Sequence, residues 1–215
     1  MKKFAIVLAG CGVYDGAEIH EAVMTMLAVN INGGEYELFA PDIEQHHVVN
    51  HLTGKEMKET RNVLTEAARI ARGKINPLPT LDPEKFDAVV LPGGFGVAKN
   101  LCTFAFDGAA CKVNNDLENI LLRFHSMAKP IGAMCISPVI LARIFKNSKL
   151  TIGNDSGTAA AVEKMGALHT ITTHCEVVSD LPNKIFTTPC YMLDASVVQI
   201  FEGTNNLIRE MMKEM

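Results

Sequence analysis

Apolar and polar residues follow two rhythms along this chain. Four short runs are almost continuously apolar and are bounded by Gly, Pro or charged residues: Lys3–Ala9, Tyr36–Ala40, Asp87–Pro92 and 131–134. Such runs, rich in Val, Ile and Ala, fit strands buried on both faces of a parallel sheet. Between them apolar residues recur three and four apart, the period of an amphipathic helix. Ala17–Asn32 repeats Ile19, Ala22, Val23, Met26, Leu27 and Ile31. Asp15 reads as its N-cap with Glu18 three residues on, and Gly33-Gly34 as its stop. Asn115–Ala128 repeats Leu117, Ile120, Leu121 and Phe124. Ile136–Phe145, Thr158–Gly166 and Asp194–Lys213 complete the helices, with Gly203 a candidate break in the last. Leu150–Gly153 reads as a short strand. His169–Val178 and Lys184–Thr188 read as a hairpin across Asp180-Leu-Pro-Asn183.

Strands alternating with helices predict an α/β fold: three layers, a mostly parallel sheet with helices on both faces, and a small β-hairpin. A chain of 215 residues fits one domain, 1–215. Residues 42–80 interrupt the rhythm. They hold Gln45-His46-His47, His51-Leu-Thr-Gly54 and a helical stretch, Thr60–Arg72, stopped by Gly73. This is long for a β–α connection and predicts an insertion that flanks the site or forms an interface.

Charge and composition narrow the function. The net charge is −4 with dispersed lysines and arginines, which argues against a nucleic-acid partner. No apolar stretch approaches a membrane span. Phe4–Ala9 after Met1-Lys2-Lys3 is too short for a signal sequence and reads as the first strand. Six cysteines without a C-x-x-C pair point to free thiols in a reducing, cytoplasmic setting.

One of these thiols sits at a corner. In Pro130-Ile-Gly-Ala-Met-Cys-Ile-Ser-Pro138, Cys135 falls where a strand turns sharply into a helix. The helix N-terminus there predicts a lowered thiol pKa and partial thiolate. In a doubly wound sheet ligands bind beyond the C-terminal strand edge. The loops Gly10–Gly16 and Pro92–Gly96 should end at that edge as well. Amides of Gly93, Gly94, Cys135 and Ile136 are candidates for an oxyanion hole. Glu18 and Glu21 share a face at the start of the first helix, and either carboxyl is placed to move a proton at the thiol. Asn100, after Lys99, is a candidate for orienting substrate, and Cys11 for a resolving thiol. His46, His47 and His51 lack a completing cysteine or carboxylate set, so no metal site is expected.

These residues resemble the PfpI-type superfamily of glutamine-amidotransferase-like proteins, and within it the enhancing-lycopene-biosynthesis group with its mitochondrial relatives. The motifs are Gly10-Cys-Gly-Val-Tyr-Asp-Gly16 with Glu18-Ile-His-Glu21, Asn50-His-Leu-Thr-Gly54, Thr60-Arg-Asn-Val-Leu64, Pro92-Gly-Gly-Phe-Gly96 with Ala98-Lys-Asn-Leu101, Met134-Cys-Ile136, and Thr187-Thr-Pro189 with Tyr191-Met-Leu193. The resemblance covers essentially the whole chain. It implies a flavodoxin-like fold, a nucleophile elbow at Cys135 and a homodimer. It also implies cofactor-independent glyoxalase activity on a small dicarbonyl, glyoxal to glycolate, with protein deglycation and a link to isoprenoid biosynthesis as further implications. Counting back from the helix-closing Gly33, the family's glutamate falls on Glu21, with Glu18 the second choice. Ile136 stands where PfpI-type proteases carry histidine, and no late histidine matches an amidotransferase. Both departures argue against peptidase and glutaminase chemistry. A non-enzymatic alternative is a redox sensor in which an exposed, acidic Cys135 is oxidised. The dimer surface is expected in residues 42–80, where Ala67, Ala68 and Ala71 permit close helix approach, or on Asn115–Ala128.

Overall fold

Seven strands form the central sheet of the computed structural model, which describes residues 1–215. In chain order they are β1 (Lys3–Val7), β2 (Glu35–Ala40), β3 (Asn76–Pro77), β4 (Ala88–Leu91), β5 (Ile131–Met134), β6 (Val178–Asp180) and β7 (Ile185–Thr188). Their spatial order is β6-β7-β5-β4-β1-β2-β3, parallel throughout except for the antiparallel β6–β7 pair. The helices are α1 (Ile19–Ile31), α2 (Val63–Ile70), α3 (Asn115–Ser126), α4 (Pro138–Ile144), α5 (Ser156–Lys164) and α6 (Val197–Lys213), beside shorter turns of helix. This is the flavodoxin-like, three-layer arrangement that the alternating runs predict. The chain moves outward from β1 through β2 and β3, then returns to β1's other side with β4. That reversal opens a crevice between the C-terminal ends of β1 and β4.

Both faces of the sheet are buried, as the unbroken apolar runs require. Along β1, Ala5 and Val7 face one core with Val89 and Leu91 of β4, covered by α3, α4 and α5. Phe4 faces the opposite side with Val90 and Met134, under α1 and α6. Ile6 and Leu8 also face that side, packed with Leu38, Val63 and Ala67. α6 runs unbroken through Gly203, whose bare Cα lets the helix approach Cys175 and Thr188 Oγ1.

Three sequence expectations change. The 42–80 stretch is less of an insertion than predicted. Its helix, α2, is the ordinary crossover from β2 to β3 and lays Val63 and Ala67 on the sheet. The extra material reduces to the loop before it, with a two-residue hairpin of Val49–Asn50 and Lys55–Glu56. Next, the hairpin partner of β7 is only Val178–Asp180. Leu168–His169 pairs in parallel with Lys149–Leu150 instead. Finally, α1 buries Glu21, Ala22, Thr25, Ala28 and Val29, while Ile19, Val23, Leu27 and Ile31 are exposed. Periodicity located an apolar stripe, but the close packing of α1 takes the small-residue side.

Glycines bring the loops of the C-terminal edge together. A Cβ on Gly96 would lie 2.5 Å from Gly16 Cα and 2.6 Å from the Ala9 carbonyl oxygen, both backbone atoms that cannot step aside. Gly96→Ala is expected to cost about 2–3 kcal/mol, an overpacking penalty. Gly157→Ala, in the first turn of α5 where a Cβ would meet only Asp155 Oδ2 at an ordinary 3.6 Å, should be neutral or slightly stabilising. Denaturant unfolding of the two variants checks the contrast.

Candidate active site

β5 ends at Met134, and Cys135 makes the turn with φ of +58°. A side chain with a Cβ in this left-handed region costs roughly 1–3 kcal/mol, so its surroundings must hold it there. Three contacts do. The Cys135 amide donates to the Thr188 carbonyl at the end of β7 (3.1 Å). The buried Ser137 hydroxyl donates to the Pro92 carbonyl (2.7 Å), joining the elbow to the glycine turn after β4. Pro138 then opens α4 at a position where no amide is needed.

Gly93 leaves the space in which the site assembles. A Cβ there would lie 2.4 Å from Cys135 Cβ, 2.6 Å from Glu21 Oε2 and 2.9 Å from Cys135 Sγ. Only glycine lets the thiol and the carboxyl meet. Gly94 has φ of +101°, and a Cβ on it would strike Glu18 N and Gly16 O at 2.4 Å.

The two glutamates separate cleanly. Glu18 is the N-cap of α1: its Oε2 accepts the Glu21 amide (2.7 Å), and its own amide donates to the Gly93 carbonyl (2.9 Å). Asp15, expected in that capping role, instead accepts the Val49 amide (2.6 Å) and ties down the loop before α2. Glu21 is completely buried and points at the elbow. Its Oε2 accepts the Gly93 amide (2.8 Å), its Oε1 accepts the Tyr191 amide (3.2 Å), and the carboxyl lies beside the Cys135 thiol, Oε2 and Sγ being 2.6 Å and 2.9 Å from the point a Gly93 Cβ would occupy. Glu21 is therefore the carboxyl at the thiol, and Glu18 positions it.

Burial governs the electrostatics. It is the largest influence on Glu21 and, with the nearby Glu18 charge, pushes the carboxyl up to about 8, against the pull of the two amides. Burial, followed by the Glu21 charge, pushes the Cys135 thiol well above its usual range. This overturns the expectation of an exposed, partly ionised thiol: Cys135 is only 8% exposed. The helix terminus that was to lower its pKa belongs to a seven-residue helix starting three residues later. Two acids in one dry space resist a double negative charge and titrate as a pair.

The amides of Gly94 and Ile136 face the Cys135 sulfur and favour negative charge there. Both were among the expected oxyanion donors, and the structure brings them to the thiol. Gly93 does not serve as one, because its amide is committed to Glu21. Asn100 does not orient substrate either. Its amide nitrogen donates to the Ala9 and Asp15 carbonyls (3.0 Å each) and its oxygen accepts the His46 amide (3.0 Å), a buried brace with both of its donors spent. Cys11 lies in a different setting, near Glu66, Arg69 and Asp15. His46 and His47 cluster edge-on and tilted against each other and Phe106, while His51 packs on Tyr14. Sequence reading missed Ser137, Tyr191 and Cys190. Tyr191 acts through its backbone amide, which residue type does not reveal, and its hydroxyl meets His20 Nδ1 at 2.8 Å. The available signal was Thr187-Thr-Pro189, the break that closes β7 at the same sheet edge.

Comparison with known proteins places this geometry in a family. No family model matches the chain. A human protein, glutamine amidotransferase-like class 1 domain-containing protein 3, mitochondrial, is 43% identical over 98% of the chain and 82% of its own length. The chain belongs to the glutamine amidotransferase-like class 1 family. The ES1 protein homolog of Rattus norvegicus, also mitochondrial, is 44% identical over 98% of the chain and 83% of its length. A crystal structure from Ehrlichia chaffeensis, described as an isoprenoid biosynthesis protein with an amidotransferase-like domain, superposes with a TM-score of 0.93. It is 37% identical and covers 100% of this chain and 99% of that one. In this member of the glutamine amidotransferase-like family no imidazole bonds Cys135, whose partner is the Glu21 carboxyl. No helix is long and apolar enough to cross a membrane.

The raised Glu21 pKa has a stability signature. Between about 4.5 and about 8 the folded carboxyl keeps a proton that the unfolded chain has released. The folded state then binds more protons, so stability from this group is full below 4.5 and is lost as pH rises towards 8. The slope is at most about 1.4 kcal/mol per pH unit. Urea unfolding at intervals from pH 5 to pH 8 is expected to show stability declining in the wild type and a flatter profile in Glu21→Gln.

Proposed function

We propose that this chain is a cofactor-independent glyoxalase that converts glyoxal and water to glycolate. The observation that carries the reading is the Glu21 carboxyl, held by two amides against the Cys135 thiol with Gly94 and Ile136 amides beside the sulfur. That set suits a covalent attack on a carbonyl with proton transfer at the adjacent carbon.

Ionised Glu21 accepts the Cys135 proton as the sulfur adds to one aldehyde and passes it to the new oxyanion, giving a hemithioacetal and freeing the carboxylate. The Gly94 and Ile136 amides stabilise the oxygen that gains charge. Glu21 then takes the proton from the carbon bonded to sulfur and returns it to the neighbouring carbon through an enediol. The product is a glycolyl thioester, which water hydrolyses to glycolate and free thiol. Only the ionised carboxyl can take the thiol proton, so below about pH 8 a minority of molecules is poised to react. A carboxyl near 8 also gives kcat/KM that climbs as pH rises from 6 towards 8. Cytoplasmic placement is part of the proposal, although the curated relatives above carry mitochondrial names.

Cys135→Ala is expected to abolish glycolate formation, and Glu21→Gln to lower kcat by about 10² or more. Glu18→Gln should stay within a few-fold, because an amide oxygen still caps α1. Full activity in Cys135→Ala refutes the mechanism.

We also propose a homodimer, with its surface moved from the expected places. The apolar sides of α2 and α3 are spent on the core, whereas Ile19, Val23, Leu27 and Ile31 form an exposed ridge on α1. A second copy pairing ridge to ridge would cover it beside the site. Light scattering across a dilution series should give a dimer for the wild type and a monomer for Leu27→Lys. A dimeric, folded Leu27→Lys places the interface elsewhere.

A further inference from the structure

We propose that Cys190 is the resolving thiol of Cys135: after a small hydroperoxide oxidises Cys135 to the sulfenic acid, Cys190 condenses with it to a disulfide that closes the site reversibly.

The backbone brings the two residues together. β5 and β7 run in parallel, and their pairing ends at Met134 opposite Thr188. Cys135 follows Met134 directly and donates its amide to the Thr188 carbonyl (3.1 Å). Cys190 follows Thr188 after Pro189, where the chain turns back at φ of +41°. Cys190 thus lies one position past the residue opposite Cys135, near enough that its charge is among the causes that raise the Cys135 thiol.

The side chains share one compartment. Both cysteines lie in the same buried cluster under α1 and α6. Cys190 Sγ is 3.8 Å from Thr204 Oγ1, which is 3.8 Å from the sulfur of Met134, the residue before Cys135. Glu21 reaches both: its charge follows burial as the cause that raises each thiol's pKa. Neither cysteine sits at a helix C-terminus, where a positive φ is routine, so each holds a strained conformation with a side chain that glycine would lack. The glyoxalase reading gives Cys190 no task. Cys11, the resolving thiol expected from sequence, lies instead near Glu66, Arg69 and Asp15.

The chemistry balances without a cofactor. Cys135 sulfur attacks one peroxide oxygen, the O–O bond breaks, and the thiol proton leaves with the alkoxide as an alcohol. Cys190 sulfur then attacks the sulfenic sulfur. The S–S bond forms, the S–O bond breaks, and the Cys190 proton leaves with hydroxide as water. Two thiols lose two electrons and one peroxide bond gains them. Because both thiols are held protonated, the first step is slow compared with that of an exposed thiolate. Once sulfenic acid forms, Cys190 is already adjacent, whereas a second peroxide must enter a buried site. The disulfide spares Cys135 from irreversible sulfinic acid. This inference needs only a reactive Cys135, not the dicarbonyl substrate, and its readout is thiol content, so the two readings fail separately.

The test treats the full chain with excess tert-butyl hydroperoxide, alkylates remaining thiols under denaturing conditions, and maps peptides without reduction. The wild type should fall from six alkylatable thiols to four, with Cys135 and Cys190 in one linked peptide and both recovered after dithiothreitol. Cys190→Ser should instead accumulate sulfinic acid at Cys135. The wild-type map suffices if that variant fails to fold. A bridge from Cys190 to the half-buried Cys175, sulfinic acid at Cys135 in the wild type, or no oxidation of either thiol overturns the proposal.

Discussion

The site depends on a carboxyl that is held out of water without a positive charge to balance it. Glu21 sits on the buried side of α1 with two backbone amides and a thiol for company. An ionised carboxylate there pays a large desolvation cost, and the amides return only part of it. The group answers by keeping its proton to about pH 8. The stability against pH follows from that placement, and the Glu21 charge adds to the thiol's own burial in raising Cys135. That burial also explains why acidity at Cys135 is not supplied by the helix terminus. The short helix α4 begins past Ser137, and burial outweighs a half-charge at that range.

The surrounding fold exists to hold this contact. Gly93 removes the one side chain that would separate the acids, and Glu18 fixes the first turn of α1 against the Gly93 carbonyl. Gly16 and Gly96 allow backbone against backbone, and Asn100 fastens the loop after β1 from below. The strained Cys135 is then stabilised by β7 on one side and by Ser137 on the other. Three strand ends and one helix meet here, so an alteration in any of them reaches the thiol.

Much of this was legible because its causes are local. Continuous apolar runs mark buried parallel strands wherever they occur, and β1, β4 and β5 lie inside Lys3–Ala9, Asp87–Pro92 and 131–134. The elbow was legible because a small-residue strand, a cysteine and a proline in the next turn leave few alternatives. What failed depended on three-dimensional packing. Residue type alone left Glu18 and Glu21 alike, three residues apart at one sheet edge; the resemblance put Glu21 first, and the cap bond separates their roles. Asn100 looked like a loop residue free for substrate, but its loop tucks beneath another. The α1 ridge showed correct periodicity with the wrong face inward, since an apolar stripe does not state what it covers. Tyr191 contributes an amide, which any residue but proline carries.

Family membership fixes the fold and the lineage, and the carboxyl–thiol pair supplies the chemistry that a lineage alone does not name. The most direct test of the account is the titration of Glu21 itself. Carbon-13 NMR of glutamate-labelled protein should show one carboxyl titrating near 8, absent in Glu21→Gln and displaced in Cys135→Ala. If every glutamate carboxyl titrates between about 4 and 5, the carboxyl is not held as described and the account of the site is wrong.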